Sequence, residues 1–416
     1  MSENEIIVLG VEKRRRERRN WLIVTVGLLV IVGAMAWFLS RWNYVRTHPE
    51  LPLSKSGTTI SPALQEVADS LLKDKMTEIC AVQGQVIVME VKTGAIKAIV
   101  GRERRFDGQL HPCENFFYQQ EQGHIMMVPS LLAALETGNV NEDSYVDTGG
   151  GIYYIGERKT KKNDLYDDEF ETAFSYDETY IKDHNWRRGG YGELSFEQAL
   201  CYSSNIGVSR LTRKAFEGDD KWFFDKLDSM SYGKPDWIDG IDGLRPMTYL
   251  SYPNDSNWVS RRFYWHTIGY ERKLAPIQML TFYNAIANGG RMVKPTFIPD
   301  SIEVINERIA SLENVRTMRG ILGSVVSKGL GKKAGTGDVF VAGMPGTIPV
   351  KTVYGDCEWD VNEFNVSFCG FFPALHPRYS IIVSMNKIGL PASGGGQAGP
   401  VFGQIVNYMT EKGMVP

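Results

Sequence analysis

Histidine is scarce in this 416-residue chain. Its six residues are scattered, with no spacing to one another or to cysteine that suits a metal, so no metal site is signalled. Cysteine is equally thin: Cys80, Cys113, Cys201, Cys357 and Cys369 form no CxxC pair. Outside the cytoplasm an odd count leaves at least one thiol free or bonded between molecules. Internal repeats and low-complexity tracts are missing, which excludes a repeat array or a long biased arm. Net charge is only −3 at pH 7, so overall electrostatics give no case for nucleic acid as a partner. Nothing in the chain implies a cofactor.

The charge that is present gathers unevenly. Lys13, Arg14, Arg15, Arg16, Arg18 and Arg19 crowd just before "WLIVTVGLLVIVGAMAWFL", residues 21–39, which holds no charged residue. That length is close to the ~20 residues an α-helix needs to cross a hydrocarbon core. Trp21 at one end and Trp37, Trp42 and Tyr44 at the other suit the two interfaces. The exit, "SRWNYVR", lacks the small residues of a cleavable signal. The expectation is a cytoplasmic basic tail (1–20), an uncleaved single transmembrane helix in the inner membrane (21–40), and everything beyond on the periplasmic or extracytoplasmic side. Residues 41–59 read as a linker.

Residues 60–416 carry the signals of one α+β domain. Ser61 is a good N-cap and Pro62 suits the first helical position, with Leu64, Val67, Leu71 and Leu72 following at helical spacing. "GQVIVMEVKTGAIKAIVG" reads as two strands around a turn at Lys92-Thr93-Gly94. "SFEQALCYSSNIGVSRLTRKAF" reads as helix, opened by a capping box of Ser195 and Gln198. "APIQMLTFYNAIANGG" is a second amphipathic helix, and "ERKTKKNDLYDDEFE" a solvated excursion. "VFVAGMPGTIPV", "NVSFCGFFPAL" and "RYSIIVSMNKIG" look like strands of one sheet, and "PVFGQIVNYMTEKG" is a closing helix. Together these predict a mainly antiparallel sheet covered by helices.

Seven stretches, in order, resemble the transpeptidase domain of class B penicillin-binding proteins. They are "GQVIVMEVKTGAIKAIVG", "EQGHIMMVPSLLAALETG", "GELSFEQALCYSSNIGVSRL", "TIGYERKLAPIQMLTFYNAIANGGRMVKP", "VAGMPGTI", "NVSFCGFFPALHPRYSIIV" and "GGGQAGPVF". The resemblance spans roughly residues 60–416 and implies a penicillin-binding transpeptidase, serine β-lactamase-like fold. The activity it implies is cross-linking of peptidoglycan stem peptides by three motifs. A Ser-x-x-Lys sets nucleophile and base one helical turn apart; a Ser-x-Asn relays a proton and holds substrate; a Lys-Thr-Gly on an edge strand binds the substrate carboxylate.

Only the middle motif survives intact. Ser203, Ser204 and Asn205 match it, with Ser203 and Asn205 at the functional positions. In "EQGHIMMVP", where the pattern is Glu-Pro-Gly-Ser-x-x-Lys and then Pro, His124 stands for the nucleophile and Met127 for the base. Ser130 does not rescue the frame, because Ala133 lies three residues on. In "VAGMPGT", Met344 and Pro345 replace Lys and Thr, leaving Gly346 and Thr347 as remnants of a substrate-binding strand. Lys351-Thr352-Val353 lacks the glycine. A methionine fills the volume of a lysine stem without its charge, and losing nucleophile and base in a serine hydrolase costs on the order of 10⁶ in rate. Cys113 and Cys201 read as small buried residues rather than nucleophiles.

The resemblance with its altered centre implies a membrane-anchored pseudoenzyme: a partner or regulator of cell-wall synthesis or division proteins, with at most weak affinity for peptidoglycan stem peptides. Two other readings stand beside it. One is an active D,D-transpeptidase or carboxypeptidase with unusual groups, His124 foremost. The other is a non-covalent sensor of wall peptides, disfavoured by the short cytoplasmic tail. Class B proteins usually carry a further domain between anchor and transpeptidase domain; the short linker here implies a short reach from the membrane.

Overall fold

A computed structural model describes residues 58–155, 180–241, 245–250, 252–253, 258, 261–350 and 363–415. The apolar stretch 21–39, the polar excursion after residue 155 and Lys351-Thr352-Val353 lie outside those residues. Among the described residues no helix is long and apolar enough to cross a membrane.

The described chain begins with helix α1 (Pro62–Glu78), which has Ser61 at its N-cap and Pro62 in its first turn. Strands β1 (Ala81–Glu90) and β2 (Ile96–Arg104) follow around a turn in which Gly94 takes φ +77°, the left-handed backbone that glycine adopts without penalty. A short β3 (Leu110–Pro112) pairs with β2. The middle of the chain is helical: α2 (Met127–Leu135), α3 (Phe196–Cys201), α4 (Asn205–Ala215), α5 (Asp220–Ser229), α6 (Arg262–Thr267), α7 (Pro276–Ala287) and α8 (Leu312–Ser327). Strands β4 (Ala342–Val350), β5 (Glu363–Phe372) and β6 (Tyr379–Ile388) and helix α9 (Gly394–Glu411) complete it.

The six strands form one sheet in the order β4-β5-β6-β1-β2-β3, with every pairing antiparallel. Side chains alternate between its faces, as the period of two requires. Val86 and Val88 of β1 join Leu72 of α1 and Phe402 of α9 in one apolar cluster. Ile87 and Met89, one residue out of phase, join Leu280 of α7 and Leu131 of α2 in another. The sheet is thus covered on both faces, and all ten residues of β5 are buried, the polar Glu363, Asn365 and Ser367 alternating with Phe364, Val366 and Phe368. The α+β architecture expected from the sequence is the one observed.

Edge position explains two prolines. Pro345 and Pro349 both lie in β4, where a missing N–H is tolerated because no further strand pairs on that side among the described residues. Two element boundaries differ from the sequence reading. The closing helix starts earlier, at Gly394, whose lack of a side chain lets it abut the sheet: a Cβ on Gly394 would run into backbone atoms of Gly346 and Ser367. The long helix read across Ser195–Phe216 is two helices, broken at Ser203.

Candidate active site

The break at Ser203 has a defined local cause. The Ser203 N–H donates to Leu200 O at 2.9 Å and the Ser204 N–H to Ala199 O at 2.9 Å. This is the Schellman pattern that closes a helix. Glycine usually occupies the left-handed residue of that pattern, but here it is Ser203, at φ +51°. A side chain held there costs on the order of 1–2 kcal/mol per residue, the kind of strain found where function needs it. Ser204 then caps α4, its Oγ accepting from the Gly207 N–H at 2.9 Å.

The strained turn delivers the Ser203 hydroxyl to the positions the sequence singled out. Ser203 Oγ lies 2.9 Å from His124 Nδ1 and 3.7 Å from Met127 Sδ. His124 sits in a 3-10 turn, Gly123–Met126, that leads directly into α2. The spacing of three therefore turns His124 and Met127 toward one partner, although Ser203 is 79 residues away from His124. All three are buried, at 8%, 0% and 5% exposure for His124, Met127 and Ser203. The turn is held by the Tyr283 hydroxyl, which donates to Ile125 O at 2.8 Å. Glu121 accepts from the Glu271 N–H at 2.9 Å.

Burial sets the protonation of the imidazole. Loss of water lowers the His124 pKa to about 3, with nearby His184 adding repulsion. The ring is neutral, and among the described residues its Nε2 has no hydrogen-bond partner. A general base serves best with a pKa near the working pH; this one lies far below neutrality. Hydroxyl and imidazole are in hydrogen-bond reach, the arrangement of a nucleophile and its base, but neither is open to solvent. No cationic group hydrogen-bonds Ser203 or His124 among the described residues.

The remaining site residues are brought close in part. Gly346 lies against the turn: a Cβ there would approach Ile125 Cγ2 at 3.1 Å and Gln122 O at 3.3 Å. Met344, where the resemblance expects a lysine, is fully buried with Ile348 in the same apolar cluster as Ile125 and Met127. Thr347 Oγ1 accepts from the Gly394 N–H at 2.9 Å, so that hydroxyl is tied to the start of α9. Asn205 Nδ2 donates to Lys182 O at 2.8 Å. Cys113 and Cys201 are protonated, burial pushing their thiols up to about 12 and about 11.

Asp183 is a site residue that the sequence reading missed. It is fully buried and accepts from the Ser204 hydroxyl at 2.8 Å and the Ile206 N–H at 3.1 Å, so it fixes the start of α4 beside Ser203. Burial raises its pKa to about 6, more than these bonds lower it. A raised carboxylate titration favours folding below its ordinary 3.8, and that advantage is lost as pH rises through about 6. At ~1.4 kcal/mol per pH unit the loss is ~3 kcal/mol. Asp183→Asn is therefore expected to remove a fall in stability between pH 4 and 6, read as the difference from the parent in urea melts across that range. An unchanged pH profile would discard this account of the buried carboxylate.

The family model described as penicillin binding protein transpeptidase domain matches residues 160–407. Penicillin-binding protein PbpB of Mycolicibacterium smegmatis is 25% identical over 362 residues, covering 79% of this chain and 50% of that protein. The peptidoglycan D,D-transpeptidase FtsI of Escherichia coli K12 is 28% identical over 221 residues, 52% of this chain and 35% of that one. The chain spans about half the length of the curated relatives it matches. Among solved structures, the apo transpeptidase domain of Burkholderia pseudomallei penicillin-binding protein 3 shares the fold. It has a TM-score of 0.68 at 24% identity, covering 88% of this chain and 98% of that one.

Proposed function

This chain belongs to the penicillin-binding protein transpeptidase domain family, and from that membership we propose that it acts in peptidoglycan synthesis or cell division as a catalytically inactive member. In this reading residues 21–40 anchor it in the cytoplasmic membrane, the domain lies outside, and its role is that of a partner or regulator of wall-synthesis proteins. The observation that carries the reading is the contact among Ser203, His124 and Met127. A buried, neutral imidazole and a thioether stand where the family's motif has a hydroxyl nucleophile and an amine base. Met344, in the lysine position of the third motif, removes a second cation. Without those charges a stem-peptide carboxylate has lost its charge-assisted hydrogen bonds, so any binding of wall peptides is weak and non-covalent.

One observation favours a second reading, that of an acyl-transfer enzyme with unusual groups. The 2.9 Å contact between Ser203 Oγ and His124 Nδ1 is a hydroxyl–imidazole pair, with Ser203 rather than His124 in the nucleophile's role. A fluorescent penicillin separates the two. Full-length protein in membranes is incubated with the label and run on a denaturing gel beside an active family member. The proposal expects no covalent band. A band that disappears in Ser203→Ala or His124→Ala would replace it with the enzymatic reading. The partner role is tested separately, by co-purification with wall-synthesis proteins from cross-linked cells.

A further inference from the structure

The Lys92-Thr93-Gly94 turn is not part of the pocket around Ser203. It borders a cleft of about 440 Å³ on another part of the domain, between the β1–β2 turn, the end of α7, helix α8 and the β5–β6 loop. Four cationic or titratable nitrogen groups line it: Lys92, Arg319, His376 and Arg378. The lining contains no carboxylate. Lys92, Arg319 and Arg378 make no ion pair among the described residues, and the cleft gathers all three with His376 in one concavity. Arg319 is also half-buried, and its Nη2 donates to Ala374 O at 3.1 Å and Leu375 O at 2.7 Å. These bonds fix the loop that carries His376 and Arg378. Leu375, 74% exposed, and Pro377 supply apolar surface on the same rim.

Unpaired cations gathered in a concavity favour an anion at close range and steer it from a distance. We infer that this cleft is a docking site for an acidic segment of a protein partner, one whose carboxylates alternate with apolar side chains. The apolar rim decides between a peptide and a phosphate chain: a bare phosphodiester would satisfy the cations but leave Leu375 in water, while a peptide covers both. Docking here uses no residue of the Ser203 pocket. The inference extends the partner reading above, yet it stands if that pocket proves catalytic.

The test uses the full-length protein in detergent and a set of fluorescein-labelled decapeptides in which Glu or Asp alternates with Leu or Val, read by anisotropy. Matched peptides carrying Lys in place of the acids are the controls. The expected result is saturable binding of acidic members only, weakening as salt rises. Lys92→Glu combined with Arg378→Glu should weaken it at least tenfold; both side chains are exposed, and an unchanged thermal melt checks the fold. Leu375→Ser should weaken binding without altering its salt dependence. The inference is overturned by equal affinity in the double charge reversal, or by failure of every acidic peptide to bind. It is overturned equally if phosphatidylglycerol vesicles or polyphosphate bind through Lys92 and Arg378 while the peptides do not, which would assign the cleft to phosphate chemistry.

Discussion

Gly269→Ala is expected to cost the domain ~4 kcal/mol or more and to leave little folded protein. Gly269 lies at φ +99°, where an added side chain carries strain of ~1–3 kcal/mol. Its new methyl would also stand 2.7 Å from the Cα of Gly123 and closer still to the Gly123 carbonyl. Overpacking against backbone typically adds ~1–3 kcal/mol, and here neither side can yield cheaply. Gly123 has Ile348 packed behind it and its turn is bonded to Tyr283. The control is Gly138→Ala, at φ +75° with nothing within 4 Å, which carries the backbone strain alone. Thermal melts of both variants decide the matter; a Gly269→Ala midpoint no lower than that of Gly138→Ala would refute the close approach. Because the clash falls on the turn that holds His124, partial survivors should also show an altered imidazole environment by NMR.

Acid should unfold the protein earlier than its carboxylates alone require. His124 and His266 both have pKa values lowered from 6.5 to about 3, chiefly because burial strips water from the charged ring. A base with a lowered titration favours folding above its ordinary pKa, and the advantage drains away as pH falls from 6.5 toward 3. At ~1.4 kcal/mol per pH unit, each ring withdraws up to ~4–5 kcal/mol over that span. For His266 the penalty is easily traced. Its ring packs against Phe224 and Trp258 at 5.3 and 5.1 Å, and charging it would set a cation beside Arg262 and Arg272, whose repulsion already contributes. Arg272, 1% exposed, is itself held over the rings of Phe224, Tyr232 and Tyr252 at 4.9–5.4 Å. The contact of Nδ1 with the Arg262 carbonyl oxygen, at 2.7 Å, offsets part of this. Urea melts at intervals from pH 7 to 4 should show stability falling steeply in the parent and more gently in His124→Gln and His266→Gln. Parallel curves would mean that these rings do not titrate as buried neutral groups. Asp183 works in the opposite direction over part of this range, so the differences between variants carry the result.

Much of the fold was legible because its signals are local. The Ser195–Gln198 capping box forms as read, with the Ser195 N–H donating to Gln198 Oε1 at 2.9 Å and the Gln198 N–H to Ser195 Oγ at 3.2 Å. The turn at Lys92-Thr93-Gly94 and the alternation of β1 needed only neighbours to be recognised. The break at Ser203 was not legible, since the left-handed position is taken by serine instead of the glycine that would have announced it. Within the site, the spacing of His124 and Met127 was enough to expect one shared face. Ser203 was expected at the same site from the resemblance and is found there; Asp183 was not, because it reaches the pocket from a distant part of the chain, and the neutrality of His124 follows from burial that only tertiary packing supplies. The early start of α9 was hidden for a related reason, as a run of glycines reads as loop until the sheet it must touch is known.

Strand β4 has one more consequence, for how molecules of this protein meet each other. Prolines four residues apart in a strand point their missing N–H groups to the same side, so the outer border of β4, along which no strand pairs among the described residues, lacks two donors. A strand arriving from another copy finds acceptors there without matching donors, and continuous pairing fails at Pro345 and again at Pro349. Unpaired strand borders are where sheets join edge to edge and aggregate. The Met344-Pro345 pair that departs from the family's Lys-Thr therefore also takes one donor from the outer border of the sheet.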